Sequence, residues 1–275
     1  MCVFVSFFSR LLAVWTGSAG RVDRLETVIE AVARAQKKTV VVAAVPGQIL
    51  TDWREEVAAI LIPFLPGEQY GNAIADIILG LVTPQAKLPL SFPNKDNEQG
   101  MTEAQWPGLP SKEFPGHNDA HYTEGQIVGY RFYDKHNIKP AFAFGHGLSY
   151  GTAKYLLRAR NVFHLNPSFY LCLWVCVMTH CCICRSRYSG LKVDKVSFPG
   201  ASTWIVTFQV ATTAGSCDTP QLYIGYPGAA TDPKRPMKVL RGFKKTCHAV
   251  SPLAEVKFTL TARDVVSPHA RGRRL

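Results

Sequence analysis

The residues of this 275-residue sequence that could do chemistry are scattered carboxylates, one loop histidine and a cysteine cluster. Asp23-Arg24 closes the stretch Ala19-Gly20-Arg21-Val22, Glu68 follows a Pro66-Gly67 turn, and Asn72 and Asp76 come behind it. Glu124 sits in Tyr122-Thr123-Glu124-Gly125, and His146 in Phe144-Gly145-His146-Gly147. Positioned carboxylates and histidines do general acid and base work. Each also has a structural role, and that role is favoured at most of these positions. A carboxylate at Glu68 would stabilise the exposed amides of a helix start. Asn72 and Asp76 would fix loop contacts, and His146 would pack within its loop. Cys172, Cys176, His180, Cys181, Cys182 and Cys184 could hold a metal, yet they lack the paired C-x2-C spacing that structural zinc prefers. No G-x-x-x-x-G-K-[ST] and no strand-linked G-x-G-x-x-G occurs, so no phosphate loop is read.

The elements that would position these groups fall into two textures. Leu25, Val28, Ile29, Val32 and Ala33 recur at helical spacing, and Lys37-Lys38 follow where a helix end favours cations. The β-branched run Thr39 to Val45, stopped by Pro46-Gly47, predicts a strand buried on both faces of a parallel sheet. A short helix at Asp52 to Glu56, a further buried strand at Ala58 to Leu65 and a helix from Glu68 to Leu79 stopped by Gly80 complete an α/β alternation. Residues 93 to 150 are rich in turn formers and read as a packed loop system, with only Ile127 to Tyr133 resembling a strand. From 188 the pattern changes to short strands at Leu191 to Phe198, Trp204 to Ala211, Gln221 to Tyr226, Val239 to Lys245 and Glu255 to Leu260, as in a β-sandwich.

A formal net charge of +11 would ordinarily point to a polyanionic partner. Its placement argues otherwise. Residues 1 to 16, 152 to 187 and 265 to 275 hold nine bases and no acid, and the remainder is nearly neutral. Nucleic-acid binding would want bases on one folded face interleaved with aromatics, so no nucleic-acid partner is assigned. Cysteine follows the same division, because outside those stretches only Cys217 and Cys247 occur. They could pair in an oxidising compartment, and buried single thiols are the commoner state.

Three blocks in order carry a resemblance: Pro66-Gly67-Glu68-Gln69-Tyr70-Gly71-Asn72-Ala73-Ile74-Ala75-Asp76, then Lys87-Leu88-Pro89-Leu90-Ser91-Phe92-Pro93, then Phe144-Gly145-His146-Gly147-Leu148-Ser149-Tyr150. They resemble the C-terminal half of glycoside hydrolase family 3, the β-glucosidases and β-xylosidases, and Glu124 to Asp134 resembles the family's Glu-Gly-x-x-Val-Gly-Tyr-Arg-x-Tyr-Asp stretch. Gln221-Leu222-Tyr223-Ile224, Leu240-Arg241-Gly242-Phe243 and Phe258 to Asp264 are similar to the fibronectin type III-like domain that closes many of these enzymes. The resemblance implies an α/β domain with a partial parallel sheet over residues 17 to 150 and an incomplete all-β sandwich over 188 to 264. It also implies a parent reaction, hydrolysis of a terminal β-glucosyl or β-xylosyl residue with retention. The substrate would be an oligosaccharide or β-glycoside, with no cofactor and an extracellular setting.

Retention needs two carboxyl groups about 5 to 5.5 Å apart. In the family the nucleophilic aspartate lies in an N-terminal (β/α)8 barrel that would precede residue 17. The acid/base glutamate stands near a Glu-Gly-x-Asp-Arg-like stretch, whose nearest match is Ala19 to Arg24, with no glutamate anywhere from 1 to 25. No catalytic residue and no metal ligand is therefore assigned, and the chain alone is expected to be inactive. Asp23 and Arg24 are carried as candidate substrate-binding residues, with a domain-interface ion pair as the competing role. A non-catalytic sugar- or protein-interaction module, tethered to a membrane through 169 to 184, is the alternative.

Three segments stand off the pattern. Residues 1 to 16 superficially resemble a secretory signal without its basic start, and read better as a truncation or gene-model artefact. Residues 151 to 187 interrupt a junction between Tyr155 and Tyr188. Their apolar part is short of the about 20 residues a membrane helix needs. A segment without selected structure is the favoured reading there, and a membrane partner is not assigned. Residues 265 to 275 form a basic tail.

Overall fold

The computed structural model describes residues 3–6, 11–15, 23–151, 153–154, 161–166, 169–174, 188–198, 201–212, 217–226, 228–247 and 253–265. The chain divides into two compact units, Met1–Val82 with Ser91–Glu98 and Pro140–Phe142, and Thr83–Leu90 with Gln99–Lys139 and Ala143–Leu275.

The first unit is α/β. Strands β1 (Val3–Ser6), β2 (Leu11–Trp15), β3 (Val40–Ala44) and β4 (Ala59–Leu61) form one sheet in that order. β2, β3 and β4 run parallel, with Leu11 opposite Val40 and Val40 opposite Ala59, while β1 returns antiparallel on β2. The sequence pattern assigns no strand to residues 1 to 16, and β1 and β2 lie there. Helix α1 (Asp23–Ala35) presents Ile29 and Ala33 inward, and Arg34 meets Glu30 at 3.1 Å one turn away. Val41 through Val45 are all 2% exposed or less, as a strand covered on both faces requires. A short 3-10 helix at Asp52–Glu55 drives Trp53 into the same core against Ile29, Val41, Ala43 and Val45.

The buried strand expected over Ala58 to Leu65 is corrected to three residues, none of them buried. β4 is the sheet edge, Pro63 has no N–H to donate, and Phe64 takes a left-handed φ of 56°, so pairing stops at Leu61. Helix α2 (Tyr70–Ile78) ends as Gly80 predicts. Gly80 adopts φ 74°, its N–H donates to the Ile77 carbonyl, and the Leu81 N–H donates to the Asp76 carbonyl, a Schellman closure. α2 buries none of its side chains among the described residues, and Leu65, Leu79 and Leu81 are each more than 70% exposed.

The second unit joins a loop system to a β-sandwich. Its loops carry a small ribbon, β5 (Leu109–Pro110) with β6 (Asn118–Asp119), and helix α3 (Tyr130–His136). The strand expected at Ile127 to Tyr133 is thus corrected to a turn and a helix. Gly129 at φ 55° redirects the chain, and its carbonyl accepts the Phe132 and Tyr133 N–H groups that start α3. The sandwich strands are β7 (Ala153–Lys154), β8 (Asn161–Asn166), β9 (Phe169–Trp174), β10 (Tyr188–Phe198), β11 (Ala201–Thr212), β12 (Cys217–Asp218), β13 (Gln221–Gly225), β14 (Lys238–Phe243), β15 (Thr246–Cys247) and β16 (Leu253–Thr261), before the short helix α4 (Ala262–Val265). One sheet runs β10-β11-β16 with β7 on β11, and the other β14-β13-β9-β8.

Period-2 alternation builds the core between these sheets. Trp204, Val206, Phe208 and Val210 of β11 and Val256, Phe258 and Leu260 of β16 point in, against Leu222 and Ile224 of β13 and Val239 of β14. Within the off-pattern stretch 151 to 187, β8 and β9 form a hairpin, and β9 pairs with β13 through Trp174 opposite Tyr223. Phe169–Trp174 is therefore strand, and no described helix is long and apolar enough to cross a membrane. Residues 175 to 187, with Cys176 and His180 to Cys184, lie outside the described residues.

Polar side chains tie α3 and the loops to the sandwich. Lys238 Nζ meets Asp134 Oδ1 at 3.0 Å, Lys135 Nζ donates to the Asp232 carbonyl at 2.7 Å, and the Leu240 N–H donates to the Tyr130 hydroxyl at 3.0 Å. Lys87 Nζ pairs with Asp218 at 3.2 Å and donates to the Gly147 carbonyl at 2.9 Å. The single-thiol state favoured for Cys217 and Cys247 is corrected, because register places them opposite each other on β12 and β15 and they form a disulfide.

That disulfide closes 30 residues of sequence, so Cys217→Ser with Cys247→Ser is expected to lower unfolding stability by about 3 kcal/mol in a denaturant titration. Burial holds the Asp134 carboxyl above the ordinary aspartate value despite the opposing Lys238 ammonium, and its Oδ2 is buried with no donor among the described residues. The folded state therefore holds that proton more tightly than the unfolded chain. Its contribution is full below the unfolded value and falls as pH rises through the raised folded value. Thermal midpoints of wild type and Asp134→Asn should diverge across that acid window and run parallel above it.

Candidate functional site

In an open α/β sheet, ligands bind beyond the carboxyl ends of the parallel strands. There the first unit has a cleft of about 380 Å³, lined by Ala44 at the end of β3 and by Leu65, Pro66, Gly67 and Tyr70. The chain leaves β3, returns through β4, and the Pro66-Gly67 turn, with Gly67 at φ 74°, brings it into α2. Tyr70 is the cleft's polar side chain, and burial pushes its hydroxyl above the ordinary tyrosine value, so it stays a neutral hydrogen-bonding group. None of the described lining residues carries a carboxylate or an imidazole. This cleft can hold an apolar face and one hydrogen bond, but it supplies no acid or base.

Asp23 and Arg24 open α1, and their side chains lie outside the described part of the structure. Glu68 is exposed and one residue too early, because Gln69 is the N-cap and makes no side-chain cap bond. Glu68 therefore stands just before the N-cap and not in the first turn. Asn72 Nδ2 instead donates to Gln69 Oε1 at 2.7 Å across the first turn. Glu124 accepts from Gln105 Nε2 at 2.8 Å within the loop system. His146 is half-buried in its loop, where its carbonyl accepts the Leu88 N–H at 2.7 Å while the Gly145 N–H donates to the Leu88 carbonyl at 2.8 Å.

Two of the three sequence blocks are therefore hydrogen-bonded side by side, which gives their glycines a physical reason. A Cβ at Gly145 would meet Gln221 Oε1 at 2.5 Å, at a φ of 81°, and one at Gly147 would run into the Ala86 carbonyl oxygen. Gly71, by contrast, has open space around it.

Sequence reasoning left Asp134 within an architectural motif and gave no role to Asp218, Lys87 or Lys238. Among the described residues of the unit these four charges are buried or nearly so, and they form two ion pairs. Asp134 and Lys238 are 104 residues apart, a separation at which no local pattern signals contact. No group of three or more His, Cys, Asp or Glu side chains among the described residues could hold a metal ion.

Residues 21–150 match the family model for the glycosyl hydrolase family 3 C-terminal domain, and residues 218–274 match a fibronectin type III-like domain, ten residues past Asp264. The chain is 29% identical over 248 residues to a probable beta-glucosidase L of Aspergillus terreus, covering 86% of this chain and 29% of the relative. It is 32% identical over 241 residues to thermostable beta-glucosidase B of Acetivibrio thermocellus, again over 86% of this chain and 26% of the relative. Beta-glucosidase 3B from Thermotoga neapolitana, solved in complex with glycerol, superposes with a TM-score of 0.68 at 25% identity over 94% of this chain and 33% of that one. The chain spans less than a third of the length of the curated relatives it matches.

Gly145→Ala is expected to lower stability by about 1–3 kcal/mol, since it combines a left-handed φ with a clash against the amide that holds Tyr223. A thermal melt beside the Gly71→Ala control, which has room for its methyl, checks the difference.

Proposed function

Because the chain belongs to glycoside hydrolase family 3 as its C-terminal half, we propose that it is the non-barrel part of a hydrolase that releases terminal β-D-glucosyl residues with retention of configuration. One observation carries this: beta-glucosidases align along 86% of the chain, through both the α/β unit and the sandwich. The reaction needs two carboxyl groups about 5 to 5.5 Å apart. Among the described residues Asp134 and Asp218 are held by lysines, and the strand-end cleft has no carboxylate in its described lining. The nucleophile is therefore assigned to a (β/α)8 barrel and the acid/base carboxyl to the stretch joining that barrel to this half, which itself supplies wall and binding surface. Asp23 and Arg24, at the start of α1, are assigned to the substrate side. The substrate is a β-glycoside, with no cofactor in the reaction.

The test uses p-nitrophenyl β-glucoside and β-xyloside. These 275 residues alone should give no turnover above background, and the same residues fused behind the N-terminal part of the Acetivibrio thermocellus relative should release p-nitrophenol, faster from the glucoside. Turnover by the chain alone would show a carboxyl pair within it and overturn the division of labour. A folded but inert fusion would sink the hydrolase reading.

A further inference from the structure

The second unit carries a cleft of about 300 Å³ that the proposed reaction does not use, between the loop system and the turn at Pro233-Lys234. Its volume is at the lower end for small-ligand sites, enough for one sugar ring. Two rings of α3, Phe132 and His136, both line it, with centroids 4.4 Å apart at an interplanar angle of 40°. They stand four residues apart, one helical turn, and pack on each other as a tilted aromatic pair on the cleft wall.

The polar wall is built rather than incidental. Gln105 Oε1 accepts from both the N–H and the hydroxyl of Thr102 at 3.0 Å, which fixes the amide, and its Nε2 then donates to Glu124 Oε2 at 2.8 Å. Glu124 is thus held as an oriented acceptor on the cleft wall. Gln99 Oε1 is buried there with no donor among the described residues, a loss that a hydroxyl entering the cleft would recover after a turn of the amide. Lys234 adds a donor at the rim, opposite in sign to Glu124, so the lining is close to charge-neutral.

We propose that this cleft is a second binding site for a neutral pyranose, the end of a glycan or a free monosaccharide, set with its C–H face against the Phe132–His136 ring pair and with its hydroxyls read by Glu124 and Gln99. An aromatic pair beside a hydroxyl acceptor suits such a ligand, since an anion would meet Glu124 and a purely apolar molecule would leave the carboxylate unsolvated. The site binds without reacting. Its occupancy does not depend on the hydrolase reading, because binding is measured here with no turnover.

The experiment is a saturation-transfer NMR titration of the purified 275-residue chain with D-glucose and cellobiose. Saturable binding in the millimolar range is expected for a ligand of about 12 non-hydrogen atoms. Glu124→Gln should weaken it about tenfold and His136→Ala several-fold, while Glu255→Gln on the exposed face of β16 should leave it unchanged. Both cleft changes are at half-buried or exposed positions, and near-ultraviolet circular dichroism checks that each variant is folded. Absence of saturation by wild type up to about 100 mM, equal affinity in all three variants, or tighter binding of glucuronate than of glucose would each overturn the proposal.

Discussion

Two lysine ammoniums buried among backbone and carboxylates organise the second unit. Lys238, on β14, is 7% exposed and reaches Asp134 on α3, while Lys87, 11% exposed, bridges Asp218 and the carbonyl of Gly147. An ammonium removed from water is tolerated only where partners replace its hydration. Each lysine therefore fixes the position of everything it touches. Lys238 sets α3 against the sandwich, and with α3 come the Tyr130 hydroxyl on Leu240 and the Tyr130 ring against Tyr223. Lys87 pins the Phe144-Gly145-His146-Gly147 turn beside the Lys87-Leu88 segment, next to the disulfide at Cys217.

The same constraint accounts for the chemistry. A carboxylate that balances a buried ammonium is not at liberty to attack or to shuttle protons. Among the described residues Asp134 and Asp218 are spent on architecture, and the two clefts are lined by groups that can hydrogen-bond. Tyr70 at the strand ends and Glu124 on the wall above α3 both suit recognition of hydroxyl-rich ligands. The first unit shows a complementary feature in α2, whose sequence is apolar around much of its circumference yet buries no side chain among the described residues. A helix of that composition ordinarily lies under cover.

Legibility in the sequence followed the range of the interactions involved. α1, β3 and the Gly80 stop were readable because periodicity, β-branching and capping act within a few residues. The strands of the sandwich were readable because one face is buried and the alternation is strict, as in Trp204, Val206, Phe208 and Val210. The readings at Ala58 to Leu65 and Ile127 to Tyr133 failed because each apolar run has a helix–strand or length ambiguity that one or two residues resolve. Pro63 and Phe64 ended one strand, and Gly129 at positive φ turned the other into a helix. The pairing of β9 with β13 and of β2 with β3 had no local signal at all.

The sequence by itself determined the family, the α/β-then-β order and the glycine-bearing blocks, since these rest on local chemistry and on motifs that tolerate few residues. Only the tertiary structure decided that Cys217 and Cys247 are joined and that Asp134 and Asp218 are consumed by lysines. It alone brought Glu124 and Gln105 together beside the rings of α3. Register and burial bring those groups together across long stretches of chain, and neither quantity is a property of any short run of residues.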